Sequence, residues 1–348
     1  MKKLFANLTL LAAGAAGVNI LLRNRSRSKA RISFAGKSVV ITGGSRGLGL
    51  VLARQLSAEG ARLALLARDA DELESAKNEL RLEDAEVMTL VCDIRDRSQL
   101  EDSLERVIRR YGEIDILINN AGVIQVGPLD HMKIEDFQEA MDTHFWGPLY
   151  ATWYLLPKMR AKGGGRIVNI TSVGGKIAVP HLLPYTASKF ALVGLSDGLR
   201  NELSRENIHI TTVIPGLMRT GSYVNAMFKG RHRQEYAWFS LFSSLPITTT
   251  AAERAARQII EACRHADPEL TITPQARLLV LSEHLFPRLT ALGMKLMDTF
   301  LPERHSRRGG EAFLGLESQS GWSPSALTAL GDQAALENNQ LREGQRLL

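Results

Sequence analysis

The sequence predicts an α/β fold in which one doubly wound parallel sheet is covered by helices on both faces. Three observations carry this. Short apolar, β-branched runs recur along the chain; segments with apolar residues at helical spacing separate them; and glycine-rich and polar motifs fall where those runs end. Strands buried on both faces read as continuous apolar runs, as these do.

The first strand is Ser38 to Thr42. Gly43, Gly44, Ser45, Arg46, Gly47, Leu48 and Gly49 follow at once, and Leu50 to Glu59 then shows helical spacing. Glycines let the backbone turn sharply and admit a phosphate, and a helix N-terminus adds free N–H groups and positive potential. A plain glycine-rich turn has the same composition; the strand–turn–helix setting is what points to a nucleotide. The second strand, Arg62 to Leu66, ends in Ala67-Arg68-Asp69. A site for NAD usually places an acid at that tip to hold the ribose 2′-hydroxyl. Here Arg68 stands at the tip and Arg46 in the loop, and two guanidiniums suit a 2′-phosphate through charge-assisted bonds. The expected cofactor is NADP(H) in preference to NAD(H). In the competing arrangement Asp69 turns inward and Arg68 is solvated.

Further strands are Glu86 to Cys92, with Asp93 at its end; Ile114 to Ile118, followed by Asn119-Asn120-Ala121-Gly122; Arg166 to Thr171, leading into Ser172; and Ile208 to Ile214, leading into Pro215-Gly216-Leu217-Met218-Arg219-Thr220. Helices are expected over Asp71–Leu82, Arg97–Tyr111, Glu135–Arg160 and Pro184–Arg205. Ligands of such sheets bind at the carboxyl ends of the strands, where every one of these motifs falls.

Tyr185 and Lys189 stand four residues apart, which on a helix puts phenol and ammonium on one face. A phenol with an ordinary pKa of about 10 is a poor acid–base group at neutral pH, and a lysine cation favours its ionised form. The Ser172 hydroxyl can hold a carbonyl oxygen beside the phenol. Alone, the Tyr–Lys pair would read as an ordinary surface pair.

Taken together, the TGxxxGxG run at Thr42–Gly49, Asp93, the NNAG run at 119–122, Ser172, Tyr185, Lys189 and the PGxxxT run at 215–220 resemble the short-chain dehydrogenase/reductase family over residues 36–275. The resemblance implies a Rossmann-type domain and an oxidoreductase. It implies that Tyr185 exchanges the proton, that Ser172 orients the carbonyl, and that Lys189 binds the nicotinamide ribose and lowers the tyrosine pKa. Asp93 and Asn120 would flank the adenine and its ribose, and Pro215, Gly216 and Thr220 would hold the nicotinamide end. One residue departs from the pattern. Where the family usually has an asparagine that begins a water-linked proton relay, Asp142-Thr-His-Phe-Trp-Gly147 places His144. An imidazole can join the relay or add a group titrating near neutral pH; the alternative is a packed histidine.

The 348 residues carry 45% hydrophobic residues, enough for one sizeable core. The net charge is +6, but seven of the 43 Lys/Arg lie in residues 1–36, which contain no acid, leaving 36 against 37 Asp/Glu. The rest of the chain is close to neutral, which removes the electrostatic basis for nucleic-acid binding. Leu4 to Leu22 is apolar and would span about 28 Å as a helix, near a hydrocarbon core of about 30 Å. Two cations precede it and Arg23, Arg25, Arg27, Lys29 and Arg31 follow it, so the positive-inside bias places the remainder of the chain in the cytoplasm. A cleaved signal peptide or a transit peptide competes with the membrane anchor. Cys92 and Cys263 are the only cysteines and suit reduced thiols. Metal-ligand clusters and haem motifs are not expected; His181 and His305 read as isolated and solvent-facing.

Tyr223 to Phe242 is rich in aromatics and methionine and is expected to lie over a lipophilic substrate, or to pack on its own domain or a partner subunit in a homo-oligomer. Thr250-Ala-Ala-Glu253 reads as a capping box opening a helix to about His265, and Leu270 to Thr273 as the last strand. Gln275 to Leu301 reads as two amphipathic helices broken at Pro287, packed on the core, a partner or a membrane. The tail from Glu303 is polar, with Ser323-Pro324 a candidate start for a short helix. The expected organisation is a targeting or anchor segment at 1–35, the catalytic domain at 36–275, apolar helices at 276–302 and a polar tail at 303–348. The expected function is NADP(H)-dependent interconversion of a lipophilic ketone or aldehyde and its alcohol at a membrane surface. The alternatives are an NAD-dependent alcohol dehydrogenase of the hydroxysteroid or retinol type and a nucleotide-binding membrane scaffold without turnover.

Overall fold

A computed structural model describes residues 27–28, 30–303, 310–341, 345 and 347. Strand β1 (Ser38–Thr42) leads through the glycine loop into helix α1 (Gly47–Ala58), β2 (Arg62–Ala67), α2 (Ala70–Arg81), β3 (Val87–Val91), α3 (Arg97–Tyr111) and β4 (Ile116–Asn119). After the short β5 (Gln125–Val126) come α4 (Ile134–Met141), a π-helical turn at Asp142–Trp146, α5 (Gly147–Ala161), β6 (Gly165–Ile170), α6 (Leu183–Glu202) and β7 (Ile208–Pro215). Then follow β8 (Leu217–Arg219), β9 (Met227–Phe228), α7 (His232–Phe242), β10 (Thr249–Ala251), α8 (Ala252–Arg264), β11 (Glu269–Ile272), α9 (Pro274–Leu285), α10 (Pro287–Asp298), β12 (Phe313–Leu314) and α11 (Ala329–Glu337).

The main sheet has the order β11-β7-β6-β4-β1-β2-β3, and all its pairings are parallel. The chain winds from β1 outward to β3, returns to β4 on the other side of β1, and continues outward to β11. The β1/β4 pair is thus the switch point, where the connecting loops diverge and a cleft opens. One face of the sheet is covered by α1, α2 and α8, the other by α3 and α5, with a core layer under each. α8 shows why its sequence folds this way: Ala255, Ala256, Ile259, Ile260 and Cys263 recur at three- and four-residue spacing and are all buried. Asp96 caps α3 by accepting from the Ser98 and Gln99 N–H groups.

Four details differ from the sequence expectations. The single helix expected over Glu135–Arg160 is broken into α4, the π turn and α5, because the wider turn carries His144 inward. Thr250 does not cap α8: it belongs to β10, paired with β8, and Ala251 is the cap residue. His181 is buried, at φ 60°, and its Nδ1 lies 2.8 Å from the Glu235 carboxylate. Ser323-Pro324 does not open a helix; Ser323 is buried and bridges to Ser320, and the last helix begins at Ala329. His305 and the apolar run Leu4–Leu22 lie outside the described residues. Among the described residues no helix is long and apolar enough to cross a membrane.

Candidate active site

The glycine loop is packed backbone against backbone. Gly43 has φ 64°, and a Cβ there would sit 2.8 Å from Ala121 Cα; a Cβ on Gly49 would collide with the Gly43 carbonyl. Asn120 holds the loop, its Nδ2 donating to the Thr42 and Gly43 carbonyls at 3.1 and 3.0 Å. Thr42 Oγ1 accepts from the Asn120 and Ala121 N–H groups. The Arg46 side chain, at the cap position, makes no capping bond to α1. These are the features of a cradle that accepts a phosphate at a helix N-terminus.

Three guanidiniums line the cleft beyond the ends of β1, β2 and β3: Arg46, Arg68 and Arg95. Arg46 Nη1 lies 2.5 Å from Glu72 Oε1, and Ser45 Oγ donates to Glu72 Oε2 at 2.9 Å. Arg68 is exposed on the cleft, and Arg95 grips Asp93 through Nε at 3.0 Å and Nη2 at 2.6 Å. Burial raises the Asp93 carboxyl, but Arg95 and the charge of Arg68 outweigh it and hold the group below its usual range. Asp69 caps α2, accepting from the Asp71 and Glu72 N–H groups at 3.0 Å each. Asp69 also lines the cleft, beside exposed Arg68.

Ser172, Tyr185 and Lys189 come together from the end of β6 and the first turns of α6. Ser172 Oγ accepts from the Gly174 N–H at 3.0 Å, and the Tyr185 ring packs against the same Gly174. Lys189 Nζ donates to the Ile170 carbonyl at 2.9 Å and lies 5.6 Å from the Tyr185 ring centroid. Lys189 is 4% exposed, and burial lowers its pKa to about 7. Burial also pushes the Tyr185 phenol above its ordinary value, with the Ser172 hydroxyl pulling the other way. The expected lowering of the tyrosine pKa by lysine is thus not the direction found here. The same desolvation that disfavours the phenolate disfavours the ammonium.

His144 lies in the cleft wall with both ring nitrogens engaged by protein partners. It is fully buried; Nε2 accepts from the Val123 N–H at 3.1 Å, and Nδ1 lies 2.7 Å from Ser188 Oγ. Ser188 Oγ in turn donates to the Tyr185 carbonyl at 2.9 Å, which assigns the proton of His144 to Nδ1. Burial, with the nearby Lys189 charge, takes its pKa well below the usual histidine value. Its ring meets Tyr185 edge-on, with centroids 5.4 Å apart. The residue is a neutral brace between the 119–123 turn and α6.

One cleft of about 1100 Å³ runs past all these groups. Every predicted site residue except Gly49 lines it, including Leu48, Pro215, Gly216 and Thr220; Gly49 lies beneath the loop. Sequence spacing does not reveal Glu72, Arg95, Ser188 or Gln340. Ser188 carries one available signal, its place between Tyr185 and Lys189 on the facing helix. Beyond Tyr185 the walls turn apolar, with Leu182, Trp238, Phe239, Phe242, Leu279 and Met297 among them. Within the aromatic segment Tyr223, Phe228 and Tyr236 pack among themselves, while Trp238, Phe239 and Phe242 face the cleft. Cys92 and Cys263 are buried free thiols, both raised by burial, Cys263 to about 12.

Residues 37–227 match the family model for short chain dehydrogenase. The chain is 37% identical over 223 residues to dehydrogenase/reductase SDR family member 7B of Danio rerio, covering 62% of this chain and 72% of that protein. Among solved structures, it resembles an actinorhodin polyketide ketoreductase with NADPH at a TM-score of 0.62 and 28% identity, over 71% of this chain and 98% of that one. A short-chain dehydrogenase/reductase from Burkholderia phymatum in complex with NAD shares the fold at a TM-score of 0.66 and 23% identity, over 74% and 96%. The matched family model spans both the glycine loop and the Ser172–Tyr185–Lys189 cluster, and the chain belongs to the short-chain dehydrogenase/reductase family, whose members are oxidoreductases that bind a nicotinamide cofactor.

Proposed function

We propose that the protein is an NADP(H)-dependent oxidoreductase that interconverts a lipophilic ketone or aldehyde and its alcohol. The observation that carries the chemistry is that Ser172, Tyr185 and buried Lys189 converge on one cleft whose further walls are apolar. The glycine loop would hold the cofactor's phosphates, Asn120 and Asp93 its adenosine half, and Lys189 and the Pro215–Thr220 segment its nicotinamide half. The bound nicotinamide supplies or accepts the hydride. Tyr185 donates the proton to the carbonyl oxygen in reduction and takes it back in oxidation; Ser172 fixes that oxygen. Lys189, held by the Ile170 carbonyl, lies beside the Tyr185 ring. His144 acts through Ser188 and the Tyr185 backbone and is a positioning residue.

NADP(H) is favoured by Arg46, Arg68 and Arg95 at the ribose end and by the use of Asp69 as a helix cap. The lipophilic substrate follows from the chamber walls. A membrane surface is supported by α9 and α10, where Leu278, Leu281, Leu285, Leu289, Leu292 and Leu296 are each more than half exposed. Leu279, Met294 and Met297 on the same helices line the chamber. The basic N-terminal residues favour the cytoplasmic side for the catalytic domain.

The test is NADPH consumption with a panel of ketosteroids, retinals and 3-ketoacyl thioesters. Wild type should turn over at least one of them. Tyr185→Phe should lose at least about 90% of that turnover while NADPH still quenches its tryptophan fluorescence. A mutant that keeps more than about a tenth of the rate would remove Tyr185 from the proton-transfer role.

A further inference from the structure

The sequence beyond Glu303 reads as a polar tail, yet part of it comes back to the cofactor loop. Tyr223 Oη donates to Asp332 at 2.6 Å, which seats α11 against the 222–225 turn. A Cβ on Gly331 would strike Ser244 Oγ, so helix and body meet at van der Waals range. From there Asn338, Asn339 and Gln340 cross the glycine loop. The Gly47 N–H donates to the Asn338 carbonyl at 2.8 Å. Asn339 Nδ2 donates to the Ser45 carbonyl at 2.9 Å and the Glu72 carbonyl at 3.1 Å. Arg54, on α1, donates to Asn338 Oδ1 at 2.9 Å. Asn225 Nδ2 donates to both the Gln340 carbonyl and its Oε1, at 2.7 and 2.8 Å.

These contacts are specific to the loop. Gly47 has φ 57°, and the side chain that a Cβ there would strike is Gln340, with Nε2 at 2.6 Å. The second glycine of the fingerprint is therefore roofed by the tail. Asn339 takes φ 55°, a left-handed conformation that asparagine tolerates better than most residues, and this turns its amide down onto the loop. Gln340 is 5% exposed and lines the cleft, its Oε1 engaged by Asn225 and its NH₂ group directed at the loop. Through the Glu72 carbonyl the tail also touches the residue that holds Arg46 and Ser45. Three parts of the phosphate end are thus tied by one three-residue segment: the loop backbone, the first turn of α1 and the start of α2.

We propose that Asn338–Gln340 is a strap belonging to the cofactor site. It holds the glycine loop in shape and walls the phosphate end, so NADP(H) enters and leaves when the strap lifts. The proposal rests on the nicotinamide dinucleotide reading of the cleft. It makes Asn339 and Gln340 positioning residues for the cofactor, at a distance from the reacting atoms.

The test compares the full chain with a form ending at Glu337 and with N339A/Q340A, which keeps the tail backbone. NADPH affinity is measured by titration and its release by stopped-flow displacement, both through nicotinamide fluorescence. Proteolytic trimming of the tail is followed with and without NADPH. Loss of the strap's hydrogen bonds should speed NADPH release about tenfold and weaken affinity in proportion. Bound NADPH should slow trimming in the full chain. If the shortened form is unfolded by circular dichroism, N339A/Q340A decides the question. Unchanged release and affinity in a folded variant would remove the strap, and tighter binding would make the tail an obstruction. A full chain that binds neither NADPH nor NADH overturns the dinucleotide reading itself.

Discussion

Lys189→Met is the perturbation whose size follows most directly from the site. Lys189 is 4% exposed, and burial holds its pKa at about 7, against about 10.5 in an unfolded chain. The folded pKa is depressed, so between those values the unfolded chain binds the extra proton and stability rises with pH. The rise approaches about 1.4 kcal/mol per pH unit once the folded lysine is neutral, and amounts to about 2 kcal/mol between pH 7 and 9. Tyr185 does not blur this window, because burial moves its titration upward and out of it. Methionine has similar length and no charge, so the variant should lose this component while other groups titrate in common. Urea unfolding at pH 7, 8 and 9 gives the comparison: wild type should gain about 2 kcal/mol more than the variant over that range. Parallel stability curves would show that Lys189 stays protonated in the folded protein throughout, and would refute the desolvation argument.

Other perturbations separate the remaining roles. His144→Asn should leave the pH–rate profile without a lost inflection near the ordinary histidine value of about 6.5, because the imidazole is neutral and enclosed. A wild-type inflection that vanishes in the variant would restore the titrating reading. Arg46→Ala with Arg68→Ala should weaken NADPH at least about tenfold more than NADH. The low end of about 1.5–3 kcal/mol per charged bond applies, since Arg46 is already paired with Glu72 and Arg68 is exposed; equal weakening of both nucleotides would deny a 2′-phosphate contact. Leu285→Ser, Leu289→Ser and Leu292→Ser together should reduce flotation of a form lacking residues 1–31 with phosphatidylcholine vesicles by at least half. Unchanged flotation, or none before mutation, would detach the α9–α10 face from membranes.

The sheet and its helices are legible in the sequence because burial imposes a period. Ser38–Thr42 is buried at all five positions, and an apolar β-branched run is the local record of that. The site motifs are legible because strand ends fix their place: Asn120, Ser172 and Pro215 each follow or close a strand with a plain apolar pattern. What escapes depends on partners far along the chain. Asn339 meets Ser45 across 294 residues, and its polar neighbourhood in sequence gives no sign of a seat among backbone carbonyls. Glu72 looks like any acid in a first helical turn, where it suits the dipole; only the fold shows it buried on Ser45 and Arg46. The π turn escapes for a different reason. Glu135–Arg160 keeps an acceptable helical period, and the cost of the wider turn is offset by tertiary contacts of His144 that no local pattern records.

His181 shows how such a miss bears on function. A lone histidine in a loop beside a proline reads as solvated, and its positive φ is set by the turn before α6. In the fold its Nδ1 meets Glu235, which is fully buried on α7, while Glu235 Oε2 accepts from Trp238 Nε1 at 2.7 Å. A carboxylate taken out of water needs such partners, because an unpaired one would cost several kcal/mol. The same three groups therefore do two things at once. They satisfy a buried acid, and they join the loop leading to Tyr185 with the aromatic wall at Trp238 and Phe239. The Tyr185 phenol and the apolar chamber are set relative to one another by this polar joint, since the hydrophobic contacts around it have no directional preference of their own. The reach from Tyr185 to the wall is thus set by hydrogen-bond geometry, and under the proposed function side-chain volume at Trp238, Phe239 and Phe242 would determine which carbonyl compounds fit.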